Sequence, residues 1–125
     1  PDRIVVGEVR GGEVVDLLAA LNTGHDGGAG TVHANSPAEV PARLEALAAL
    51  GGLDRGALHS QLAAAVQALV HVGRGPVGRR VEEIALLRRD GSGCCYAVPV
   101  WRADGGMADA ADSFYGLIAR RTQTW

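Results

Sequence analysis

The sequence predicts an α/β protein in which parallel strands are covered by helices and an antiparallel β extension closes the fold. The run Ile4-Val5-Val6 is β-branched and continuously apolar, which is typical of a strand buried on both faces of a parallel sheet. Helical patterns follow it, first over Glu13–Asn22. From about residue 70 the pattern changes to short apolar runs separated by turn-rich links, which is typical of an antiparallel meander.

The first strand is expected to run from Arg3 to Val9 and to carry a carboxylate, Glu8, near its end. Open α/β sheets bind ligands in the crevice at the carboxyl ends of their strands, so Glu8 is a candidate site residue. Gly7 before it would allow close approach of the backbone. The helix that follows has its apolar residues at i, i+3, i+4 and i+7: Val14, Leu17, Leu18 and Leu21.

The segment 23–36 combines a glycine-rich turn with Thr31–Ala34, which is predicted to form a short strand. Ser36 is the predicted N-cap of a helix, with Glu39 completing a capping box. Pro41 conflicts with that start, because proline in a helix interior clashes with the preceding turn. The alternative is a helix that begins at Pro41 and runs to Leu50.

The second half is expected to continue with a helix capped by Asp54 and to end with a helix over Ala108–Arg121. Glu82 interrupts the alternation of one strand and weakens the prediction of its register. The three strands predicted between these helices are Val70–Val72, Arg80–Leu87 and Cys94–Trp101.

Two stretches of the sequence indicate the function. Residues 5–13 read Val-Val-Gly-Glu-Val-Arg-Gly-Gly-Glu, and residues 23–36 read Thr-Gly-His-Asp-Gly-Gly-Ala-Gly-Thr-Val-His-Ala-Asn-Ser. In this order and spacing they resemble the secretion ATPases, hexameric RecA-like motors of type II and type IV secretion, type IV pili and Tad/Flp pilus assembly. The first string resembles their Walker B motif and the second their histidine box. The residues of the two motifs resemble most closely those of the Tad/CpaF and VirB11-like branches.

This resemblance implies that the chain is the C-terminal half of a RecA-like P-loop NTPase domain. All 12 basic residues are arginine, so the chain lacks the lysine of a phosphate-binding P-loop. The family carries its P-loop and an acidic "Asp box" before the Walker B strand. Residues 1–101 are therefore expected to be the C-terminal portion of the ATPase domain, and residues 102–125 a helical tail.

The resemblance also assigns roles in binding ATP and Mg²⁺. Glu8 would hold Mg²⁺ through water, or help to polarise the attacking water. His33 would reach the γ-phosphate and couple nucleotide state to subunit shape. Arg10 would either stabilise phosphate charge or pin a carboxylate, Glu8 or Asp16.

The same cleft is expected to receive His25 and Thr23 as nucleotide-binding residues, with bracing of the loop as the alternative for His25. The sequence departs from the family pattern at Ala29-Gly30, where Leu-Thr is usual. That change removes an apolar anchor and a hydroxyl from the loop that carries His33.

The composition limits the kinds of partner that this chain is expected to bind. The formal charge of −2 gives no electrostatic case for nucleic acid, and no apolar run is long enough for a membrane span. Cys94 and Cys95 are adjacent, which predicts two unrelated reduced thiols. The resemblance implies a ring of identical subunits, cytoplasmic and peripheral to the membrane, under a membrane platform protein.

Two other functions compete with a motor subunit. One is a non-catalytic remnant or interaction module that keeps the fold without nucleotide turnover. The other is an unrelated histidine-based hydrolase, which ranks last because no serine or cysteine nucleophile accompanies the histidines in a recognisable setting.

Overall fold

The computed structural model describes the backbone of residues 5–23 and 27–124, and the side chains in those ranges other than residues 5, 6 and 121–124. The strands are β1 (Val5–Val6), β2 (Ala29–Gly30), β3 (Ala68–Gly75), β4 (Gly78–Arg89), β5 (Cys95–Arg102) and β6 (Gly106–Met107). The helices are α1 (Val14–Asn22), α2 (Val40–Leu50), α3 (Arg55–Ala65) and α4 (Ala111–Thr124), with a short 3₁₀ helix at Pro37–Glu39. In this part of the chain no helix is long and apolar enough to cross a bilayer.

The two short strands β1 and β2 form a parallel pair, with Val5 opposite Ala29 and Val6 opposite Gly30. The strand expected over Arg3–Val9 is therefore shorter at its carboxyl end, and its first residues lie outside the described part. The strand predicted at Thr31–Ala34 is wrong, because the pairing falls two residues earlier. Packing overrides β propensity here: a Cβ on Gly30 would lie 2.7 Å from Leu17 Cδ2, so this position is pressed against α1.

The start of α2 resolves the conflict over Pro41. The helix begins at Val40, so Pro41 lies in its first turn, where a missing N–H leaves no helical hydrogen bond unmade. The predicted capping box is wrong: the Ser36 side chain makes no capping bond. Glu39 Oε2 instead accepts from the N–H of Asn35 at 3.0 Å, since residues 37–39 form a separate 3₁₀ turn. Asp54 caps α3 as predicted, accepting from Ala57 N–H at 2.8 Å.

The antiparallel meander is confirmed as a four-stranded sheet in the order β3-β4-β5-β6. Strands β3 and β4 are longer than predicted, β5 is shifted by one residue from the predicted Cys94–Trp101, and β6 was not predicted. His71 pairs with Glu83 and Val72 with Val81, which leaves Glu82 as the extra residue of a β-bulge. This bulge is the reason that Glu82 breaks the alternation in the sequence.

Two apolar clusters lie on opposite faces of this sheet. The smaller one covers β4 and β5 with the terminal helix α4, through Phe114 and Leu117. The larger one joins the three first helices to the sheet and to the chain after β1. Its buried members are Val9, Val14, Leu18, Val40, Leu44, Leu47, Ala48, Leu58, Leu62 and Cys95.

A buried histidine connects the helices to the sheet. The side chain of His59 on α3 is 4% exposed, and its Nδ1 accepts from the N–H of Cys95 at 2.8 Å. Nε2 must then carry the proton, which it donates to Glu45 Oε2 at 3.0 Å. The other Glu45 oxygen pairs with Arg55 Nε at 3.0 Å, and Arg55 Nη2 lies 3.2 Å from Cys94 Sγ. The cysteines are free thiols, as predicted.

We expect His59→Ala to lower the free energy of unfolding by about 1–3 kcal/mol, because the Cys95 N–H is left buried without an acceptor. Arg43→Ala is the matched control, since Arg43 is exposed on α2. Urea unfolding followed by circular dichroism measures both. Equal stability of the two variants would show that the histidine does not hold α3 to β5.

Candidate functional site

The site is built at the carboxyl ends of β1 and β2. The Val9 N–H donates to the carbonyl of Thr31 at 2.7 Å, which continues the parallel alignment past both strands. Val9 is 3% exposed, so this bond is held inside the core. Glu8 precedes Val9 and His33 follows Thr31 by two residues. The two predicted catalytic side chains are therefore brought to the same edge.

Glu8 contacts a basic side chain on each side. Arg10 directs Nε and Nη2 at Glu8 Oε2, each at 2.5 Å, while His33 Nε2 lies in ion-pair contact with Oε1. The Glu8 side chain is 20% exposed, whereas those of Arg10 and His33 are 80% and 84% exposed. Of the alternatives for Arg10, pairing with Glu8 is the one that the structure has.

One oxygen of this carboxylate keeps capacity to accept. Glu8 Oε1 is buried and has no hydrogen bond of acceptable geometry among the described residues, despite the ion-pair contact with His33. A buried acceptor without a donor is costly and marks a place where a water or ligand proton is missing. No group of three or more histidine, cysteine or acidic side chains that could hold a metal occurs in the described ranges.

The loop after Glu8 is fixed by a second carboxylate. Glu13 Oε1 accepts from the N–H groups of Arg10 at 2.8 Å and Gly11 at 3.2 Å. Gly12 packs against the end of α2, where an added Cβ would lie 2.8 Å from the Gly51 backbone. Only glycine fits so close an approach, so this loop cannot shift outward without moving α2.

The electrostatics of the loop keep both carboxylates ionised. The hydrogen bond from Arg10, aided by the charges of Arg10 and His33 and opposed by desolvation, lowers the pKa of Glu8. Backbone N–H donors, that of Arg10 first, lower the pKa of Glu13. A depressed pKa makes Glu8 a weaker base, which suits a carboxylate that orients water more than one that takes up a proton.

The remaining predicted residues are less closely placed. Thr23 Oγ1 donates to the Ala19 carbonyl at 2.7 Å, so its hydroxyl is used at the end of its own helix. His25 lies outside the described residues. At Gly7 an added Cβ would meet nothing within 4 Å among the described atoms, so the expected close approach is not seen there.

A groove of about 960 Å³ opens beside His33. One wall is formed by residues 27–34 around β2 and the other by residues 65–74 around β3. Among the residues that the structure describes, each of these strands is paired on one side only, β2 with β1 and β3 with β4. The groove therefore lies between two free strand edges. Its other apolar lining includes Leu17, Leu21, Leu117 and Ile118.

Comparison with known proteins agrees with the motifs at this edge. A family model described as "Type II/IV secretion system protein" matches residues 1–98. The chain belongs to this family. The matched span includes Glu8, Arg10 and His33, and continues through β1–β4 into β5.

Several relatives of this secretion-system family are named for conjugal transfer. A Mycobacterium tuberculosis protein with such a name is 70% identical over 122 residues, which is 97% of this chain and 34% of that protein. Proteins named as conjugal transfer protein TrbB are 43% identical, over 74% of the chain in Sinorhizobium fredii and 67% in Rhizobium radiobacter. The chain spans about a third or less of the length of these relatives.

The sequence analysis overlooked Glu13 in the loop after Glu8, and it overlooked the Glu45–His59 pair that joins α2 to α3. Glu13 belongs to the first motif, and its position two residues after Gly11 was the available signal for a carboxylate that turns back onto the loop. The Glu45–His59 pair is 14 residues apart and on two helices. Nothing in the local pattern indicates that contact.

We expect the Glu8 carboxyl to titrate below its ordinary value of 4.5. Arg10→Gln should move the midpoint up toward 4.5, because the Arg10 hydrogen bond is the largest cause of the shift, and His33→Gln should move it up less. Carbon-detected NMR of the side-chain carboxyl measures this.

The lowered pKa of Glu8 also determines how its contribution to the stability of the fold changes with pH. A depressed folded pKa contributes stability that is present above the unfolded value and is lost as the pH falls through the folded pKa. The stability advantage of the natural protein over Glu8→Gln should thus shrink as pH falls below about 4.5. A midpoint at or above 4.5, unchanged by Arg10→Gln, would contradict the pairing seen here.

Proposed function

We propose that the chain is part of an ATP-hydrolysing motor subunit that drives pilus assembly or secretion, in which it supplies the Walker B carboxylate and the histidine box. The observation that carries this proposal is the contact between Glu8 and His33. Two side chains 25 residues apart, one predicted to hold Mg²⁺ or polarise the attacking water and the other to reach the γ-phosphate, lie against each other at one sheet edge. Because several relatives are named for conjugal transfer, we include conjugal transfer among the secretion processes that this motor drives.

The residues present fit a magnesium nucleotide. The buried Glu8 Oε1 contacts His33 and keeps a second lone pair, which would accept from a metal-bound water or from the attacking water. When bound, Mg-ATP brings the phosphoanhydride bond and the metal charge that stabilises its cleavage. Glu8 then orients water, and Arg10 holds the Glu8 carboxylate by its second oxygen.

His33 is suited to sensing nucleotide because its ring is mostly exposed while one nitrogen contacts Glu8. An imidazole can exchange that carboxylate for a phosphate oxygen at small cost, since it donates to either. The exchange would free Glu8 Oε1 and pull the loop of residues 31–36 toward the phosphate. In this way nucleotide state would alter the shape of the subunit.

The groove supports the proposal that this chain is the C-terminal half of a RecA-like domain. A free edge on β2 and another on β3, separated by an apolar groove, leave room for a strand that pairs with both. We propose that the P-loop half of the domain supplies it, from the part of the relatives that this chain does not span. Residues 1–101 would then complete the ATPase domain and residues 102–125 would form a helical tail.

The assembly proposed for the whole protein is a ring of identical subunits, six in the secretion ATPases that the motifs resemble. It would be cytoplasmic and would work at the membrane under a platform protein. His25 and Thr23 are proposed to face the nucleotide from the loop before β2.

In the full-length protein we expect Glu8→Gln to leave ATP binding nearly intact while turnover falls on the order of a hundredfold, because an electrostatic contributor to the transition state is lost. His33→Ala should also slow turnover. Steady-state phosphate release measures both, with Arg43→Gln as the control. Unchanged turnover in both variants would remove the catalytic assignment of Glu8 and His33, whereas a natural protein that releases no phosphate would favour the remnant, which keeps the fold without the chemistry.

The 125-residue chain alone should not bind Mg-ATP with micromolar affinity. Triphosphate sites of this kind need successive backbone N–H donors at a helix N-terminus and a lysine. The loop before α1 follows the Glu8 strand, and its N–H groups at Arg10 and Gly11 are already bound to Glu13. Calorimetric titration decides this, and saturable micromolar binding would show that the chain has a nucleotide site of its own.

A further inference from the structure

The hairpin of β3 and β4 holds two arginines against each other. Arg74 and Arg79 are directly opposite in the antiparallel register, and the four residues 75–78 lie between them in the chain. Gly78 has a φ of 123°, a conformation that favours glycine and fixes the tight turn. Like charges at directly opposed positions of a sheet destabilise it, so this pair is unfavourable unless an anion lies nearby.

No such anion is supplied by the described part of the chain. The other four arginines of this sheet each have a partner: Arg80 with Glu82 and Asp104, Arg88 with Ser113, Arg89 with Ser60 and Gly93, and Arg102 with Glu83. Arg74 and Arg79 are exposed and have no hydrogen bond or ion pair with any described residue. The nearby carboxylates of Glu82 and Glu83 are already engaged.

The pair opens onto the groove that contains His33. Both arginines line that groove together with His33. A smaller cleft beside it is lined by Asn35, Ser36, Gly73 and Arg74, and also by Glu82, Glu83 and Asp104, each of which is paired with another arginine. The carboxyl end of β3 thus lies next to the residues that follow His33.

We propose that Arg74 and Arg79 form an anion-binding pair that holds the phosphate chain of the nucleotide. This rests on the function proposed above and adds two binding residues to it. Guanidinium groups bind phosphate oxygens in a bidentate manner, and two of them side by side match the several oxygens of a polyphosphate. Bound phosphate would also remove the repulsion between the two arginines. Binding of the anion would therefore stabilise the β3–β4 hairpin in the position seen here.

The test uses the full-length protein and inorganic tripolyphosphate as the probe, because it carries the charge of the nucleotide without its base. Calorimetry should show that Arg74→Gln/Arg79→Gln raises the Kd on the order of tenfold, the loss of one or two charge-assisted hydrogen bonds. Arg43→Gln removes one exposed arginine that lies outside the groove and should leave the Kd unchanged. Weakening, not abolition, is expected because the P-loop also binds phosphates.

A thermal melt in the same buffers controls for folding. Without anion the double variant should melt no lower than the natural protein, since a repulsion has been removed, and tripolyphosphate should raise its midpoint less. A double variant that binds tripolyphosphate as the natural protein does overturns the proposal, as does an equal loss in Arg43→Gln. Loss of binding to phosphatidylglycerol vesicles with tripolyphosphate binding intact also overturns it, and assigns the pair to a lipid surface.

Failure of this proposal is distinct from failure of the proposed function. If Glu8→Gln retains full turnover, the ATPase assignment fails whatever the arginines do. If Glu8→Gln abolishes turnover while the double variant binds tripolyphosphate normally, the motor stands and the arginine pair does not belong to its nucleotide site.

Discussion

The hydrogen bond between the Val9 N–H and the Thr31 carbonyl is the contact on which the site depends. The parallel pairing that precedes it covers two described residues of each strand. This bond, buried under Val9, carries the alignment to Glu8 and His33. Without this bond, the backbone would not hold Glu8 and His33 at the same edge of the sheet. The Glu13 bonds and the close approach of Gly12 to Gly51 then hold the loop from the other side.

A second constraint connects this edge to the antiparallel sheet. His59 accepts from the Cys95 backbone and donates to Glu45, so one buried ring joins α2, α3 and β5. A buried polar group of this kind is stable only when each of its partners is in place, which makes the junction specific as well as tight.

The groove and the unpartnered arginines indicate an unfinished site. Apolar strand edges and a pair of like charges are each unfavourable in the chain as it stands. Both line the groove, as does His33, which contacts Glu8.

The sequence by itself determined the family, the order of elements and several boundaries. Pro41 limited the start of α2 and Asp54 that of α3 through local rules that need no partner. The contact of Glu8 with His33 and the opposition of Arg74 and Arg79 were decided only by tertiary structure, because they depend on strand register. Register responds to packing: Gly30 pairs where Leu17 leaves room, and the Glu82 bulge shifts β4 by one residue. A local pattern cannot encode a choice that is made by residues distant in the chain.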